Sequence, residues 1–290
     1  MPAPLDHVKF VLGEAGVLAA SRWRWLRALS WATLLFAITL GFFLASIFLG
    51  SWFHLPADAN YAIALVFPGL GFFAYAQAVR FGERRRPEEI LLTKRTPYDL
   101  LGGVALGFGM LVAMTAILWI LGLYSVQRSA WSHAWGSFVY DSYISAMLEE
   151  LAFRAILLRI LARVFGPLWG LVLSSALFGV AHLSHGTWVA ALEVAFNGGL
   201  TMGLLYMVTG RLWMSVGMHL GWDFTEESLL GVNSTRGLFH STPIPGKIDL
   251  LTGGNYGPDA SILAGIVGSI VLVIIWIASS RAASSQAAAS

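Results

Sequence analysis

The chain contains no cysteine and few charged residues. Among its 290 residues, Asp, Glu, Lys and Arg make up 12%, whereas hydrophobic residues make up 57%. The lack of cysteine excludes disulfides, thiolate catalysis and Cys-ligated zinc or iron–sulfur sites. The scarcity of charge argues against a soluble domain, because the surface of one this long would need many more charged side chains. Any chemistry must therefore come from His, carboxylate, hydroxyl or amide groups.

Several signatures of known enzyme classes are also missing from the sequence. There is no HExxH of a zincin-type membrane protease, no GxGD of an intramembrane aspartyl protease and no GxSG of a rhomboid-like serine protease. Neither a Walker A motif nor a dinucleotide-binding fingerprint is present, so nothing indicates a nucleotide.

What the chain does have is a series of long apolar stretches. Each is about twenty residues long, the length that crosses a bilayer core of roughly 30 Å. We therefore predict an all-α, polytopic membrane bundle of about eight transmembrane helices. The predicted helices span residues 28–52, 60–80, 99–124, 137–164, 168–184, 187–209, 212–230 and 260–280.

The basic residues predict the orientation of this bundle. With the N-terminus in the cytoplasm, every Lys and Arg falls on the inside except Arg128, Arg236, Lys247 and the intramembrane Arg154. This bias, together with an even number of spans, places both termini in the cytoplasm. The basic run 84–86 is interpreted as part of the same topology signal, so no nucleic-acid partner is expected.

The predicted domain organisation is simple. Residues 1–27 form an amphipathic, interfacial segment on the cytoplasmic side. Within it, residues 8–27 are predicted to form an interfacial helix, in which Trp23 and Trp25 alternate with arginines. Residues 28–281 form a single transmembrane domain with its motif-bearing core at 137–230, and residues 282–290 form a disordered tail. The polar connection 231–259 is expected to lie outside and to cover the helix ends.

Ionisable residues are concentrated in one half of the bundle. A charged group at membrane depth costs roughly 2.5–3.5 kcal/mol, so such residues must face one another or a water-filled cavity. A functional site is therefore predicted among the central helices. The residues concerned are Glu149, Glu150, Arg154, His182, Glu193, His219 and Asp223.

The spacing of these residues indicates how they are used. Glu150 and Arg154 are four residues apart on one helical face, which favours an ion pair. Glu149 is turned about 100° away from Glu150, so it is free to face the cavity. Two further pairs have the same spacing. Phe178 precedes His182, and His219 precedes Asp223, whose carboxylate could fix the imidazole tautomer or join it on a metal.

Other polar residues carry weaker predictions. Glu193 and Asn197 are candidates for lining the cavity, while the neighbouring glycines are interpreted as helix-packing positions. Glu226, Glu227 and His185 are assigned to a hydrated interface and not to catalysis.

At these residues the chain resembles the CPBP family, which comprises CAAX-protease and bacteriocin-processing (Abi) proteins and includes the type II CAAX prenyl endopeptidases. The family pattern is EExxxR, then FxxxH, then HxxxN or HxxxD, each on its own membrane helix. The corresponding residues here are Glu149, Glu150 and Arg154, then Phe178 and His182, then His219 and Asp223.

The resemblance implies an intramembrane endopeptidase. Glu149 and His182 would activate a water molecule for attack on the peptide carbonyl, and His219 with the residue four positions later would stabilise the oxyanion. Glu150 and Arg154 would form the supporting pair. The substrate would be a membrane-associated peptide or protein, with a prenylated CAAX-type peptide as one class. The expected location is the bacterial inner membrane.

Asp223 stands where the prenyl endopeptidases have Asn, and the difference leaves the chemistry open. An ionised Asp cannot donate a hydrogen bond to an oxyanion, whereas an amide can. Asp223 is therefore protonated, holds His219 as an imidazolium, or binds a cation. Because of the last option, Zn²⁺ held by Glu149, His182, His219 and Asp223 remains an alternative to metal-free glutamate chemistry.

Two functions of other classes also fit the polar residues. Buried acids beside Arg and His suit a proton- or ion-coupled transporter, although no internal repeat is found. A catalytically silent scaffold or immunity protein would keep the same fold. The oligomeric state is not predicted.

Overall fold

The molecule is largely helical. The computed structural model describes residues 9–131, 136, 138–183 and 186–289, and 74% of it is helix. His185 and positions 137 and 184, where two predicted spans begin or end, lie outside the described residues, as do residues 1–8 and residue 290.

Eight helical segments of the described chain correspond to the predicted spans, and all but the last begin and end within about four residues of the predicted boundaries. They are α1 (Arg24–Trp52), α2 (Ala57–Gly82), α3 (Thr96–Ile120), α4 (138–165), α5 (Pro167–Ala181), α6 (Trp188–Thr209), α7 (213–230) and α8 (Ile262–Ala289). A further helix of four residues, Asp249–Thr252, lies in the connection between α7 and α8. Three of the segments alternate between α-helical and π-helical turns: α4 contains the π-helical pieces Phe138–Tyr143 and Leu151–Leu158, α6 contains Ala195–Leu200, and α7 ends in Phe224–Leu230.

Five of the described helices are long and apolar enough to cross a membrane. They are α1, α2, α3, α6 and the part of α8 that ends at Arg281. Helix α5 is apolar but shorter, with 15 residues. Helix α4 is not among the five, because its centre carries the charged EExxxR motif.

The structure departs from the predicted all-α fold at one end of the bundle. Strands β1 (Tyr124–Arg128) and β2 (Phe239–Pro243) pair antiparallel in a two-stranded sheet. The polar connection 231–259 therefore contains strand β2, and Tyr124 ties it down by donating a 2.9 Å hydrogen bond to the carbonyl of Thr252. The third predicted helix ends at Ile120, because residues beyond it join this sheet.

The two termini also differ from the prediction. Between residue 9 and α1 the chain forms only a single 3₁₀ turn, Gly16–Leu18, in place of an amphipathic helix. Gly13 and Gly16 adopt φ values of 81° and 58°, which interrupt a right-handed helix. At the other terminus α8 continues to Ala289, so helix occupies most of the stretch predicted to be a disordered tail.

A buried ion-pair network holds the predicted cytoplasmic end together. Arg159 on α4 contacts Glu83 at 2.6 Å, and Arg85 contacts Glu83 at 2.8 Å and Glu89 at 2.7 Å. Tyr75 donates a hydrogen bond to Glu89. Burial alone would raise the pKa of Glu89, but the hydrogen bond from Arg85 and the charge of Arg159 outweigh it and lower the pKa below its usual range.

Glycines bring α7 unusually close to α3. A Cβ added to Gly103 or Gly107 of α3 would lie 2.2 Å from a carbonyl oxygen of α7, and one added to Gly221 of α7 would lie 2.4 Å from the carbonyl oxygen of Val104. This small-xxx-small contact lets the two backbones touch. It fixes the helix that carries His219 against a helix without motif residues.

Replacing Gly107 by Ala should destabilise the protein, since the new methyl group would overlap the backbone of α7. Overpacking of this kind costs about 1–3 kcal/mol, so the apparent melting temperature in detergent should fall by several degrees. Gly109→Ala on the same helix is the matched control, because its methyl would meet nothing within 4 Å. Equal melting temperatures for the two variants would contradict this packing account.

Candidate active site

Two of the three motifs lie where α-helical turns change to π-helical ones. In α4 the α-helical turns Ile144–Glu150 give way to π-helical turns after Glu150, and in α7 the change comes after Asp223. A π-helical turn holds an extra residue and so shifts the direction of the side chains that follow; such turns often occur at functional sites. Over several turns, a period of 3.6 residues therefore no longer gives the direction of the side chains that follow.

Glu150 forms the buried centre of the site. Its Oε1 atom lies 2.8 Å from Nη1 of Arg154 and 2.9 Å from Nδ1 of His219. The side chains of Glu150, Arg154 and His219 are 0%, 2% and 6% exposed. The ion pair expected from the i, i+4 spacing is thus present, and it includes a histidine from α7.

Arg154 connects this centre to two more helices. Its Nη2 donates a 2.8 Å hydrogen bond to the carbonyl of Gly198 on α6, and its guanidinium lies 4.4 Å from the ring centre of Phe178 on α5. The Phe178 ring also lies 4.6 Å from the ring of His182 and 6.0 Å from that of His219. Phe178 therefore acts as the packing surface that spaces the two imidazoles.

Glu149 and His182 form a second, more accessible pair. Oε2 of Glu149 lies 3.9 Å from Nε2 of His182, and the two side chains are 21% and 25% exposed. This distance is too long for a direct hydrogen bond. Nδ1 of His182 lies 2.8 Å from the carbonyl of Phe178, and since a carbonyl only accepts, Nδ1 must carry the proton. In neutral His182 the lone pair of Nε2 therefore faces the carboxylate of Glu149.

His219 faces a carboxylate on each side of its ring. Besides Nδ1 at Glu150, its Nε2 lies 3.3 Å from Oδ2 of Asp223. Ionised carboxylates only accept hydrogen bonds, so this geometry suits an imidazolium that donates from both nitrogens. Of the three roles open to Asp223, the arrangement favours the one in which Asp223 holds His219 as a donor.

Two cavities adjoin the accessible pair, one through His182 alone and one through both residues. The first, of about 120 Å³, is called the acidic chamber; its lining includes His219, Asp223, Glu226 and Asp259. The second, of about 230 Å³, is called the apolar groove, because it runs along α1 and is lined mainly by apolar residues. His182 lines both cavities. The apolar groove is lined by Phe36, Thr39, Leu40, Phe43, Leu148, Glu149, Ala152, Phe153, Ala181 and His182.

Two acids that line the acidic chamber are not among the site residues predicted from the sequence. Glu226 was assigned to a hydrated interface, yet it lines the chamber next to Asp223. Asp259 lies in the connection before α8, and it is 7% exposed. Tyr256 of the same connection also lines the chamber, so the segment expected to cover the helix ends does reach the site. The feature of the sequence that could have indicated this contact is the Tyr-Gly-Pro-Asp stretch at 256–259, which combines an aromatic and an acidic residue in a turn.

The two residues proposed to line the cavity are placed differently. Asn197 is among the described lining residues of the acidic chamber, whereas Glu193 is not. Glu193 accepts a 3.3 Å hydrogen bond from Asn197 and lies against Gly265 of α8. The glycines beside them do pack helices: a Cβ on Gly199 would lie 2.7 Å from the side chain of Ser175.

The four residues considered for zinc do not form a common ligand set. Glu149 faces His182, whereas His219 lies between Asp223 and Glu150, and Glu150 is not one of the four. Within the described part of the chain, no group of three His, Cys, Asp or Glu side chains converges closely enough to hold a metal ion. The four residues thus form two separate pairs, Glu149 with His182 and His219 with Asp223.

Comparison with known proteins supports the motif-based assignment. Residues 130–225, about a third of the chain, match the sequence model of the family described as type II CAAX prenyl endopeptidase Rce1-like. No curated protein and no solved structure matches the chain significantly. The family match confirms the resemblance inferred from the motifs and indicates a CAAX-type protease. Together with the apolar helices, it indicates an integral membrane protein.

Asp259 should make the stability of the protein depend on pH. Burial, reinforced by the charges of Asp223 and Glu227, raises the pKa of Asp259 from its usual 3.8 to about 7. Ionising it therefore costs more in the folded than in the unfolded chain, and stability falls between about pH 4 and pH 7. Asp259→Asn should raise the melting temperature at pH 8 relative to wild type and leave it nearly unchanged at pH 4. An equal shift at both values would contradict this assignment.

Proposed function

We propose that this protein is an intramembrane endopeptidase that hydrolyses a peptide bond in a membrane-associated peptide, of which prenylated CAAX-type peptides are one class. The observation that carries the proposal is the position of Glu149 and His182. They form the only accessible acid–imidazole pair among the described motif residues. Both line the apolar groove, and His182 also lines the acidic chamber.

Glu149 and His182 have the geometry to activate water. Both present hydrogen-bond acceptors, Oε2 and the Nε2 lone pair, across 3.9 Å. A water molecule can donate one proton to each and so be oriented for attack. In this mechanism Glu149 takes the proton as the water oxygen bonds to the peptide carbonyl carbon. The proton then passes to the departing amine nitrogen as the C–N bond breaks.

His219 is placed to stabilise the oxyanion that forms. Glu150 and Asp223 keep it protonated. The hydrogen bond from its Nε2 to Oδ2 of Asp223 is long, with 3.3 Å between the two atoms. The carbonyl oxygen of a substrate can compete for this N–H as it gains negative charge. An amide at position 223 could donate a hydrogen bond to the oxyanion directly. Asp223 instead acts indirectly, because it stabilises the imidazolium that donates the hydrogen bond.

The apolar groove supports access from within the bilayer. It lies between α1 and the motif helices and exposes Glu149 and His182 at one side. Leu40 of its α1 wall is 44% exposed on the surface of the bundle. An apolar part of the substrate, such as a lipid chain or a hydrophobic side chain, would occupy this groove and bring the adjacent peptide bond to the pair.

The remaining features of the proposal concern the membrane. All eight helical segments cross or enter the bilayer of a bacterial inner membrane, and both termini are cytoplasmic. The distribution of Lys and Arg supports this orientation. The acidic chamber then lies toward the outer side, since Tyr256 and Asp259 belong to the connection that precedes α8.

Substitution of the accessible pair should abolish proteolysis. Glu149→Gln and His182→Ala each remove one group that activates water, and loss of general acid–base catalysis lowers kcat by about 10²–10⁴-fold. The measurement is cleavage of an internally quenched, farnesylated CAAX-type peptide by the purified protein in detergent. Glu88→Gln, at an exposed position, is the matched control and should retain wild-type turnover.

Wild-type turnover in Glu149→Gln would show that the assigned chemistry is wrong. Cellular function that persists when all three motifs are replaced by alanine would favour a scaffold or immunity role. Ion flux in proteoliposomes, without peptide cleavage, would favour a transporter.

The proposed reaction is metal-free, because the imidazoles and carboxylates are arranged in separate pairs. Peptide cleavage should persist after dialysis against a chelator, with less than stoichiometric metal in the purified protein. Loss of cleavage on chelation, restored by Zn²⁺, would instead show that the two pairs rearrange around a metal.

A further inference from the structure

The acidic chamber contains more carboxyl groups than the proposed reaction uses. Asp223, Glu226 and Asp259 line it, and no Lys or Arg is among the described residues that do so. Asp223 has a counterpart in His219, at 3.3 Å. Glu226 and Asp259 have no such cationic partner among the described residues, although the Trp222 indole donates a hydrogen bond to Glu226.

Asp259 presents an unused acceptor to this chamber. Asp259 is 7% exposed, and its Oδ1 atom is buried without a hydrogen-bond partner among the described residues. A buried polar atom left unpaired costs free energy, so such atoms are normally satisfied by a neighbour or a ligand. The buried carboxylate is therefore an independent indication that the chamber receives a hydrogen-bond donor.

Gly257 keeps a space open in front of both acids. A Cβ at this position would lie 3.0 Å from Oδ1 of Asp259 and 3.1 Å from Oε1 of Glu226. The two oxygens thus face one small region. Gly257 also has a φ of 135°, a conformation that other residues rarely adopt. The backbone here leaves room where a side chain would otherwise lie between the carboxylates.

The other walls of the chamber suit an amphipathic side chain. Val194 and Met202 provide apolar surface, while Trp222 and Tyr256 provide aromatic rings. Lys and Arg side chains lie with their methylene stems on apolar surface and their charge beside acids or aromatic faces. The volume of about 120 Å³ is well below the roughly 300–1,000 Å³ of pockets for whole small molecules and is suited to one side chain.

We propose that the acidic chamber is a specificity subsite that binds a lysine or arginine side chain of the peptide substrate, next to the bond that is cleaved. This inference rests on the proposed endopeptidase function and deepens it. Glu226 and Asp259 bind the cationic group, Gly257 leaves the space for it, and the apolar groove holds the hydrophobic part of the same substrate on the other side of Glu149 and His182.

The test compares peptides that differ in one side chain. In the farnesylated CAAX-type peptide, each of the three residues after the prenylated Cys is replaced in turn by Lys, by uncharged norleucine or by Glu. At one position, kcat/KM for Lys should exceed that for norleucine by about tenfold, and Glu should be the poorest of the three. Equal rates for Lys and norleucine at every position would overturn the proposal.

The variants are judged by the Lys-to-norleucine ratio within each protein, because a general effect on folding or catalysis cancels in that ratio. Asp259→Asn and Glu226→Gln should each bring the ratio toward one. Asp249→Asn removes an exposed acid of the same connection and is the matched control, so its ratio should equal that of wild type. An unchanged ratio in Asp259→Asn would overturn the assignment.

A binding measurement tests the subsite even if no peptide is cleaved. Butylammonium, which corresponds to the end of a lysine side chain, should raise the melting temperature of the full-length protein by about 2 °C relative to equal concentrations of NaCl and 1-butanol. The increase should disappear in Asp259→Asn. If no peptide is cleaved but butylammonium still raises the melting temperature, the proposed function is refuted and the cation-binding site is retained.

Two outcomes of the binding measurement would refute the subsite. The first is that butylammonium has no effect on the wild-type protein. The second is that Ca²⁺ or Mg²⁺ stabilises the protein in an Asp259-dependent manner while butylammonium does not, which would identify a metal-ion site in its place.

Discussion

Glu150 is a carboxylate with no solvent exposure in an apolar bundle, and its neutralisation constrains the surrounding helices. Arg154 and His219 contact the same oxygen, Oε1. A buried ion without partners would cost several kcal/mol, so the helices that carry the partners cannot move apart freely. Arg154 extends the constraint to α6 through the carbonyl of Gly198. One charge centre thereby fixes α4, α6 and α7, and Phe178 packs against it from α5.

This centre explains how two adjacent glutamates differ in character. Glu150 has its charge balanced and its side chain enclosed, whereas Glu149 projects from another face of α4 toward His182 and remains 21% exposed. The first residue therefore holds the structure, and the second is available for proton transfer. His182 is oriented independently, because the carbonyl of Phe178 fixes its Nδ1 and directs Nε2 toward Glu149.

The sequence predicted those parts of the site that depend on one helix alone. The Glu150–Arg154 pair follows from 3.6 residues per turn, and so does the i, i+4 relation of His219 and Asp223. Contact between Glu150 and His219 joins residues 69 apart in sequence. It depends on how α7 packs on α3 and on the π-helical turns, and neither can be derived from hydrophobic periodicity.

Errors in the prediction have equally specific causes. The N-terminal segment was predicted as an amphipathic helix from its alternating Trp and Arg residues, but positive φ values at Gly13 and Gly16 prevent that helix. Glu226 was assigned to hydrated surface from its distance along α7. Depth along one helix does not reveal that residues 256–259 fold over that helix end and enclose it.

The Asp at position 223 and the acids of the chamber have a common electrostatic consequence. An amide at 223 would leave His219 with one carboxylate partner, Glu150, whereas Asp223 gives it a second and makes the Glu150–Arg154–His219–Asp223 cluster neutral overall. The positive charge of His219 is thus fully balanced within the cluster and cannot also balance Glu226 and Asp259. In the proposed subsite, a cationic side chain of the substrate would balance these two acids when the peptide bond is positioned. On the proposed mechanism, Asp at position 223 would therefore both change how the oxyanion is stabilised and leave the acids of the chamber available to a substrate cation.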